Sequence, residues 1–172
     1  MSRLIALALC LAAGCAAGTA PSQHAEDLQG SFRLMFELRK STWKVGDSID
    51  GVATLALVNG SGVDLGGSGS GLLGFDFAEV NGSHHVEPAW TSNCAPYRLD
   101  PGRPITSPIK KSGGFYPEQP DADFNREFLT DPVVRLPAGD WKITAVASFV
   151  EGEGCSGPSH TMGATALVHV VP

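Results

Sequence analysis

Basic residues are scarce in this chain: twelve Lys and Arg stand against eighteen Asp and Glu, a formal net charge of −6. Nucleic acid backbones select basic stripes, and none is present, so no nucleic-acid partner is expected. Long apolar runs are lacking too. The N-terminal run Leu4–Ala13 falls short of the ~20 residues that a permanent bilayer-spanning helix requires. No stretch of eighteen apolar residues occurs elsewhere. No segment repeats apolar residues at helical spacing for long, and no Gly-x-Ser-x-Gly nucleophile signature is found. Neither Cys94 nor Cys155 has a second Cys at the short metal-ligand spacing, which argues against a zinc site. No cofactor is expected.

What is present in abundance is turn chemistry. Twenty-one glycines and twelve prolines punctuate the chain too often for long helices. Hydrophobic content of 42% suffices for one globular core.

The first residues read as an export leader over 1–14: Arg3, the apolar run, then small residues. "LAAGC" at 11–15 looks like a bacterial lipobox ending in Cys15, with Ala13 and Gly14 in place and Leu11 one position early. Ordinary signal peptidase could instead use the small residues at 15–18, which would make the protein secreted. The lipoprotein reading places Cys15 as the lipidation site and residues 15–30 as a flexible tether to a domain over 31–172. The expected location is therefore the envelope, membrane-anchored and facing the periplasm or exterior. Arg3 leaves with the leader, so eleven basic residues then face eighteen acidic ones, a net −7. Cys10 also leaves and Cys15 is used or removed, so Cys94 and Cys155 remain and pair in an oxidising compartment.

Alternation of period two marks the strands. "SFRLMFELR" (31–39) puts Phe32, Leu34, Phe36 and Leu38 on one face. "IDGVATLALVN" (49–59), "LLGFDFAEV" (72–80), "WKITAVASFV" (141–150) and "ATALVHVV" (164–171) continue the pattern, and "PITSPIK" (104–110) and "LTDPVVRL" (129–136) suggest shorter strands. "GSG" (60–62) and "GGSGSG" (66–71) read as loops. "NGS" at 81–83 predicts a tight reversal into "HHVEPAW". "DADFNREFL" (121–129) is the one helical candidate, with Asp121 as cap and Phe124 and Phe128 at i,i+4. The expected fold is all-β: an immunoglobulin-like antiparallel sandwich of seven to eight strands with one short helix or turn in an insertion.

The stretches "STWKVGDSIDGVATLALVNGSGVDL", "FDFAEV", "LDPGRPI" and "LPAGDWKITAVASF" together resemble the BsuPI-type intracellular proteinase inhibitor family and related bacterial immunoglobulin-like domains. The resemblance spans most of 31–150 and rests on turn and core residues. It departs in Trp141, where Tyr is usual, in the disulfide, the leader and the extra sequence around 111–131. It implies the sandwich fold and, as an alternative function, proteinase inhibition.

Several short constellations resemble chemical sites. "GDSI" (46–49) resembles a hydrolase nucleophile block, but a strand follows Ser48, and Gly157 and Ala166 stand where an Asp should precede His160 and His169; it reads as a turn. His84 and His85 are strand neighbours pointing to opposite faces, so they do not converge on a metal with His160. Arg126 and Pro132 break the calcium-loop pattern of 121–132. The two "VNGS" sequons read as turns. Phe115, Tyr116, Phe124 and Phe128 lie in the insertion, either as an aromatic partner-binding loop or as a plug over the open end of the core. The functional expectation is a non-catalytic binding or structural module of the bacterial envelope, with the membrane and a protein as partners.

Overall fold

The computed structural model describes residues 22–114 and 116–172. The leader, Cys15 and Phe115 lie outside the described residues.

The alternating segments become strands because each can bury one face while its other face meets water. β1 (Gln23–Gln29), β2 (Phe32–Leu38), β4 (Gly51–Leu57) and β9 (Ile105–Pro108) form a four-stranded sheet in the order β1-β2-β4-β9. The second sheet holds β3 (Thr42–Lys44), β5 (Val63–Ser68), β6 (Leu73–Glu79), β7 (His85–Val86), β8 (Cys94–Leu99), β10 (Gly139–Glu151) and β11 (Ser159–Val171). Its spine is the long β10–β11 hairpin, with Gly139 opposite Val170 and Val150 opposite Ser159. Along its other edge β10 meets β6 over Trp141–Ala147 and then β5 at Val150–Glu151. β3 adds to β11 in parallel, the one parallel pairing among the described strands.

The fold is an all-β sandwich with one short helix, α1 (Ala122–Thr130). Its core is the set of inward residues that the alternation marks. Phe32, Leu34, Phe36 and Leu38 of β2 face Trp141, Ile143, Ala145, Ala147 and Phe149 of β10, all at most 3% exposed. Phe32 meets Phe149 edge-on at 4.9 Å, and Phe36 meets Phe75 at 5.8 Å, so aromatic rings stitch the sheets together. The small pair Ala145–Ala164 in the hairpin leaves room for those rings.

Eleven strands form among the described residues rather than seven or eight. The additional ones are those that hydrophobic alternation does not reveal. β1 occupies residues expected in the tether; it pairs with β2 along its whole length, Gln23 opposite Leu38 and Gln29 opposite Phe32. Its inner residues are Gln, Ala, Asp and Gln, so no apolar stripe announces it. β5 runs through glycines expected as loop, because Gly66 and Gly67 must be bare. A Cβ on Gly66 would lie 2.6 Å from Cys155 Sγ, and one on Gly67 2.1 Å from Leu72 Cδ2. The segment 129–136, expected as a strand, forms none: Leu129 and Thr130 end α1 and 131–136 is irregular. Val134 and Leu136 are buried in the core there, and the segment is tied to the stretch before β4, where Ile49 N donates to Val134 O at 2.9 Å and Arg135 Nε to Gly46 O at 3.1 Å.

The two sheets are closed along one side by side chains. β3 covers only the last residues of β11, which leaves the outer edge of β11 open further back. β1 fills that edge: Gln23 Oε1 accepts from Leu167 N at 3.0 Å, Asp27 Oδ2 accepts from Gly163 N at 3.0 Å, and Gln29 Nε2 donates to Thr161 O at 3.0 Å. Satisfying an open edge in this way removes a template for unwanted strand addition.

"KVGDS" (44–48) is the turn the sequence suggested. Gly46 has φ +89°, and Asp47 Oδ2 accepts from Lys44 N at 3.1 Å and Lys40 Nζ at 3.0 Å. These bonds, the main-chain one first, hold the Asp47 carboxyl below its usual value. Val45 N donates to Val171 O, tying the turn to the end of the hairpin.

Candidate functional site

Cys94 and Cys155 form a disulfide with Cα atoms 6.1 Å apart, joining the start of β8 to the 3-10 turn Glu153–Cys155 after β10. The bridge crosses β5 at the bare Gly66 and sits at the end of the sandwich where β10 finishes. Its place is structural.

The insertion lies at the opposite end, where β10 starts. The reversal at 81–83 brings β7 antiparallel to β6, with Phe77 opposite Val86 and Ala78 opposite His85. α1 packs on this corner. Phe128 is 6% exposed and meets Phe77 edge-on at 5.2 Å; Phe124, half-buried, stacks on His84 at 4.0 Å and lies 6.0 Å from Trp141. Trp141 is itself anchored, its Nε1 donating to Pro137 O at 3.1 Å within the "PAGDW" turn. The helix is closed at its C-terminal end by Lys111, whose ammonium bonds the Phe128 carbonyl and lies 4.0 Å over the Phe128 ring. Partial burial there lowers the Lys111 pKa.

Phe128 therefore plugs the open end of the core, and Phe124 covers it half-buried. A helix with two rings at i,i+4 buries them when an apolar corner is within reach. Tyr116 stays out, 75% exposed.

Between this helix and β7 lies a cavity of about 470 Å³. One wall is β7 with Glu87, Pro88 and Ala89; the other is Gly114, Tyr116, Gln119, Asp121 and Asn125. The second wall is built by successive tight turns, Gln119 N donating to Tyr116 O and Ala122 N to Gln119 O. Asp121 occupies the N-cap position of α1 as the sequence suggested, yet its carboxylate makes no bond to the helix. Asp121 Oδ2 instead accepts from His85 N at 3.2 Å, clamping β7 to the helix. His85 Nε2 lies 2.7 Å from Asp76 Oδ2, and His84 Nδ1 lies 3.7 Å from Asp121 Oδ1. The two adjacent imidazoles face different carboxylates, as opposite strand faces require. Among the described residues no three His, Cys, Asp or Glu side chains gather as a metal site.

Asn125 is the residue that sequence reasoning missed. It lines the cavity at 4% exposure, and its Oδ1 has no hydrogen-bond partner among the described residues. Its signal was available: a polar amide on α1 between the two plugging rings, on the side that turns inward.

A larger cavity of about 800 Å³ opens where β1 starts, beside Ile49, Asp50 and Val134. Its charged groups already have partners, Arg39 with Asp50 at 3.8 Å and His24 with Glu37 at 3.5 Å. No buried unpartnered polar atom lines it among the described residues.

Compared with known proteins, the chain matches no protein-family model, no curated protein sequence and no solved structure. Among the described residues no helix is long and apolar enough to cross a membrane.

Proposed function

We propose that this chain is an exported, immunoglobulin-like binding module of the bacterial cell envelope, held at the membrane by a lipid on Cys15, and that it engages a protein partner at the α1 end. The observation that carries the reading is the cavity between β7 and α1, rimmed by exposed Tyr116 and containing the unpartnered Asn125 amide. With Trp43 Nε1 and His84 Nδ1, the Asn125 oxygen is one of three buried side-chain polar atoms without a hydrogen-bond partner among the described residues, and it is the one whose residue lines this cavity.

With β1 starting at Gln23, the tether shortens to residues 16–22. Fully extended, such a segment reaches roughly 25 Å. Gln23 bonds Leu167, which pairs with Lys142 near the start of β10, so the tether leaves from the same end as α1. The cavity of an anchored molecule would then face the membrane side.

Two measurements test this. Intact mass of the native protein should show a mature chain beginning at lipid-modified Cys15; an unlipidated chain beginning further on makes it a secreted module. A photo-crosslinking residue at Tyr116 should trap a partner in living cells, while the same group at Leu28, exposed on β1, should not. A protease trapped at Tyr116, with stoichiometric inhibition by the purified chain, would transfer the reading to a proteinase inhibitor. Equal trapping at both positions, or none at Tyr116, removes the α1 end as the binding site.

A further inference from the structure

We infer that the outer face of the second sheet carries a binding site for a neutral saccharide at its disulfide end. The site lies at the opposite end of the sandwich from α1, so it goes beyond the partner reading there and is tested independently of it.

A cavity of about 300 Å³ opens beside the Cys94–Cys155 bridge, at the lower end of the range that small-molecule sites occupy. Ser148 and Val150 alternate with the buried Ala147 and Phe149, which places them on the outer face of β10. Gly66, Val150 and Ser159 stand in one row across β5, β10 and β11 and form the floor. The segment 90–94 is the wall. No Asp, Glu, Lys, Arg or His lines this cavity, whereas the α1 cavity has Glu87 and Asp121 and the one at the start of β1 has Arg39 and Asp50. A charged ligand entering here would lose hydration and gain no counter-charge.

The lining is indole, hydroxyl and amide instead. Trp90 lies against β6, where a Cβ on Gly74 would come within 3.0 Å of its Cζ2 and Cη2, so a bare glycine lets the ring approach the sheet. Trp43 and Trp141 are at most 3% exposed, while Trp90 is half-buried and lines the cavity. The wall that carries it is fixed in advance. Ser68 Oγ lies 2.7 Å from Ser70 Oγ and 2.9 Å from Thr91 Oγ1, and Gly69 N donates to Asn93 O at 3.1 Å. Those bonds occupy the Ser68, Ser70 and Thr91 hydroxyls. The hydroxyls of Ser92, Ser148 and Ser159 and the amide of Asn93 line the cavity and bond no other described side chain.

This set complements a pyranose ring. A sugar has C–H faces that pack on an indole and a rim of hydroxyls that each donate and accept. Ser hydroxyls do both, and an Asn side chain presents a donor and an acceptor side by side. A purely apolar ligand would leave these groups unpaired. An extended peptide would want an open strand edge, but the floor is a sheet face whose main chain is paired between β5, β10 and β11.

The test is a titration of the ¹⁵N-labelled full chain with cellotetraose, chitotetraose, tetragalacturonate and a capped triserine peptide, read by amide chemical shifts and by tryptophan fluorescence. Trp90 is the reporter, since the other two indoles are buried. At least one of the two neutral tetrasaccharides should give a saturable fluorescence change and shifts at Ser92, Asn93, Ser148 and Ser159. The acidic tetrasaccharide and the peptide should bind at least tenfold more weakly. Trp90→Ala should weaken the neutral sugar about tenfold, as loss of a stacking ring implies, and Trp90→Phe should recover most of that. Asn93→Ala, at an exposed position, should weaken it several-fold and leave the melting temperature unchanged, which keeps the test decisive if Trp90→Ala does not fold. Binding of neither neutral sugar overturns the inference, as does equal binding of tetragalacturonate or triserine, or neutral-sugar shifts that Trp90→Phe and Asn93→Ala both leave unchanged. None of these outcomes alters what a crosslinker at Tyr116 traps, so the α1 reading is judged separately.

Discussion

Asp27 accepts a hydrogen bond from the main-chain N–H of Gly163 at 3.0 Å, joining the first described strand to the last across 136 positions. The same carboxylate oxygen also receives Gln29 Nε2 at 3.2 Å. β1 belongs to one sheet and β11 to the other, so this contact closes the sandwich where no main-chain ladder does.

Asp27→Ala should destabilise the fold by about 1 kcal/mol, the usual net worth of one part-exposed hydrogen bond. Amide exchange at Gly163 and Leu167 should quicken more than exchange in the β10–β11 ladder. Asn, which keeps an acceptor oxygen, should restore most of the loss. Equal protection in all three proteins would show that β1 is held by its pairing with β2 alone.

Gly66→Ala should be the most damaging single-methyl change in β5, because the new Cβ would meet Cys155 Sγ, Cα and N at 2.6–2.7 Å. Overpacking of this kind costs roughly 1–3 kcal/mol. Reducing the disulfide, which spans 61 positions, should cost about 4 kcal/mol by the chain-entropy account. In the reduced protein the Gly66→Ala penalty should shrink, since the 3-10 turn can then move away. Urea unfolding of the four combinations reads the coupling, and strict additivity would contradict it.

Phe128→Ala should cost about 3–5 kcal/mol, as expected when a buried ring leaves a cavity at the end of a core. Tyr116→Ala should stay within about 0.5 kcal/mol of the parent. Thermal melts of the two variants distinguish a plug from an exposed rim; similar small effects would mean that α1 docks loosely.

Asp47 and Asp131 should contribute to acid sensitivity. Each carboxyl is held below the usual 3.8, Asp47 first by the Lys44 N–H and then by Lys40, Asp131 first by the Val133 N–H and then by Arg135. A folded-state pKa below the unfolded one adds stability above the unfolded value, and that stability is lost as pH falls from about 3.8 through the lowered values. Asp47→Asn and Asp131→Asn should therefore be less stable than the parent at pH 7 and converge on it below pH 3. Denaturant midpoints against pH measure this; a constant gap down to low pH would assign the effect to something other than the charge.

The residues that hydrophobic alternation exposes are the ones the sequence located correctly: β2, β4, β6, β10 and β11, the reversal at 81–83, and the helix at 121–129. Each buries an apolar stripe, and a stripe has a period that can be read along the chain. The Cys94–Cys155 pair was legible by a different logic, since only two cysteines remain once the leader and Cys15 are set aside. β1 and β5 escaped because their inward faces carry amides, a carboxylate and bare glycines, whose value depends on what lies opposite. Gln23, Asp27 and Gln29 matter only beside the open edge of β11, and Gly66 only beneath Cys155.

The candidate site divides in the same way. Composition alone fixed the scarcity of basic residues, and local spacing fixed a short helix with two rings on one side. Only the tertiary structure decided that those rings turn inward and Tyr116 outward, that Asp121 holds β7 instead of capping its helix, and that Asn125 borders an open space with its oxygen unbonded. Periodicity reports which face of an element is apolar; it carries no information about which other element arrives to cover that face, or where coverage stops. At the α1 end packing covers Asn125 without giving its oxygen a partner, and a polar group left over in this way is visible only once the packing is known.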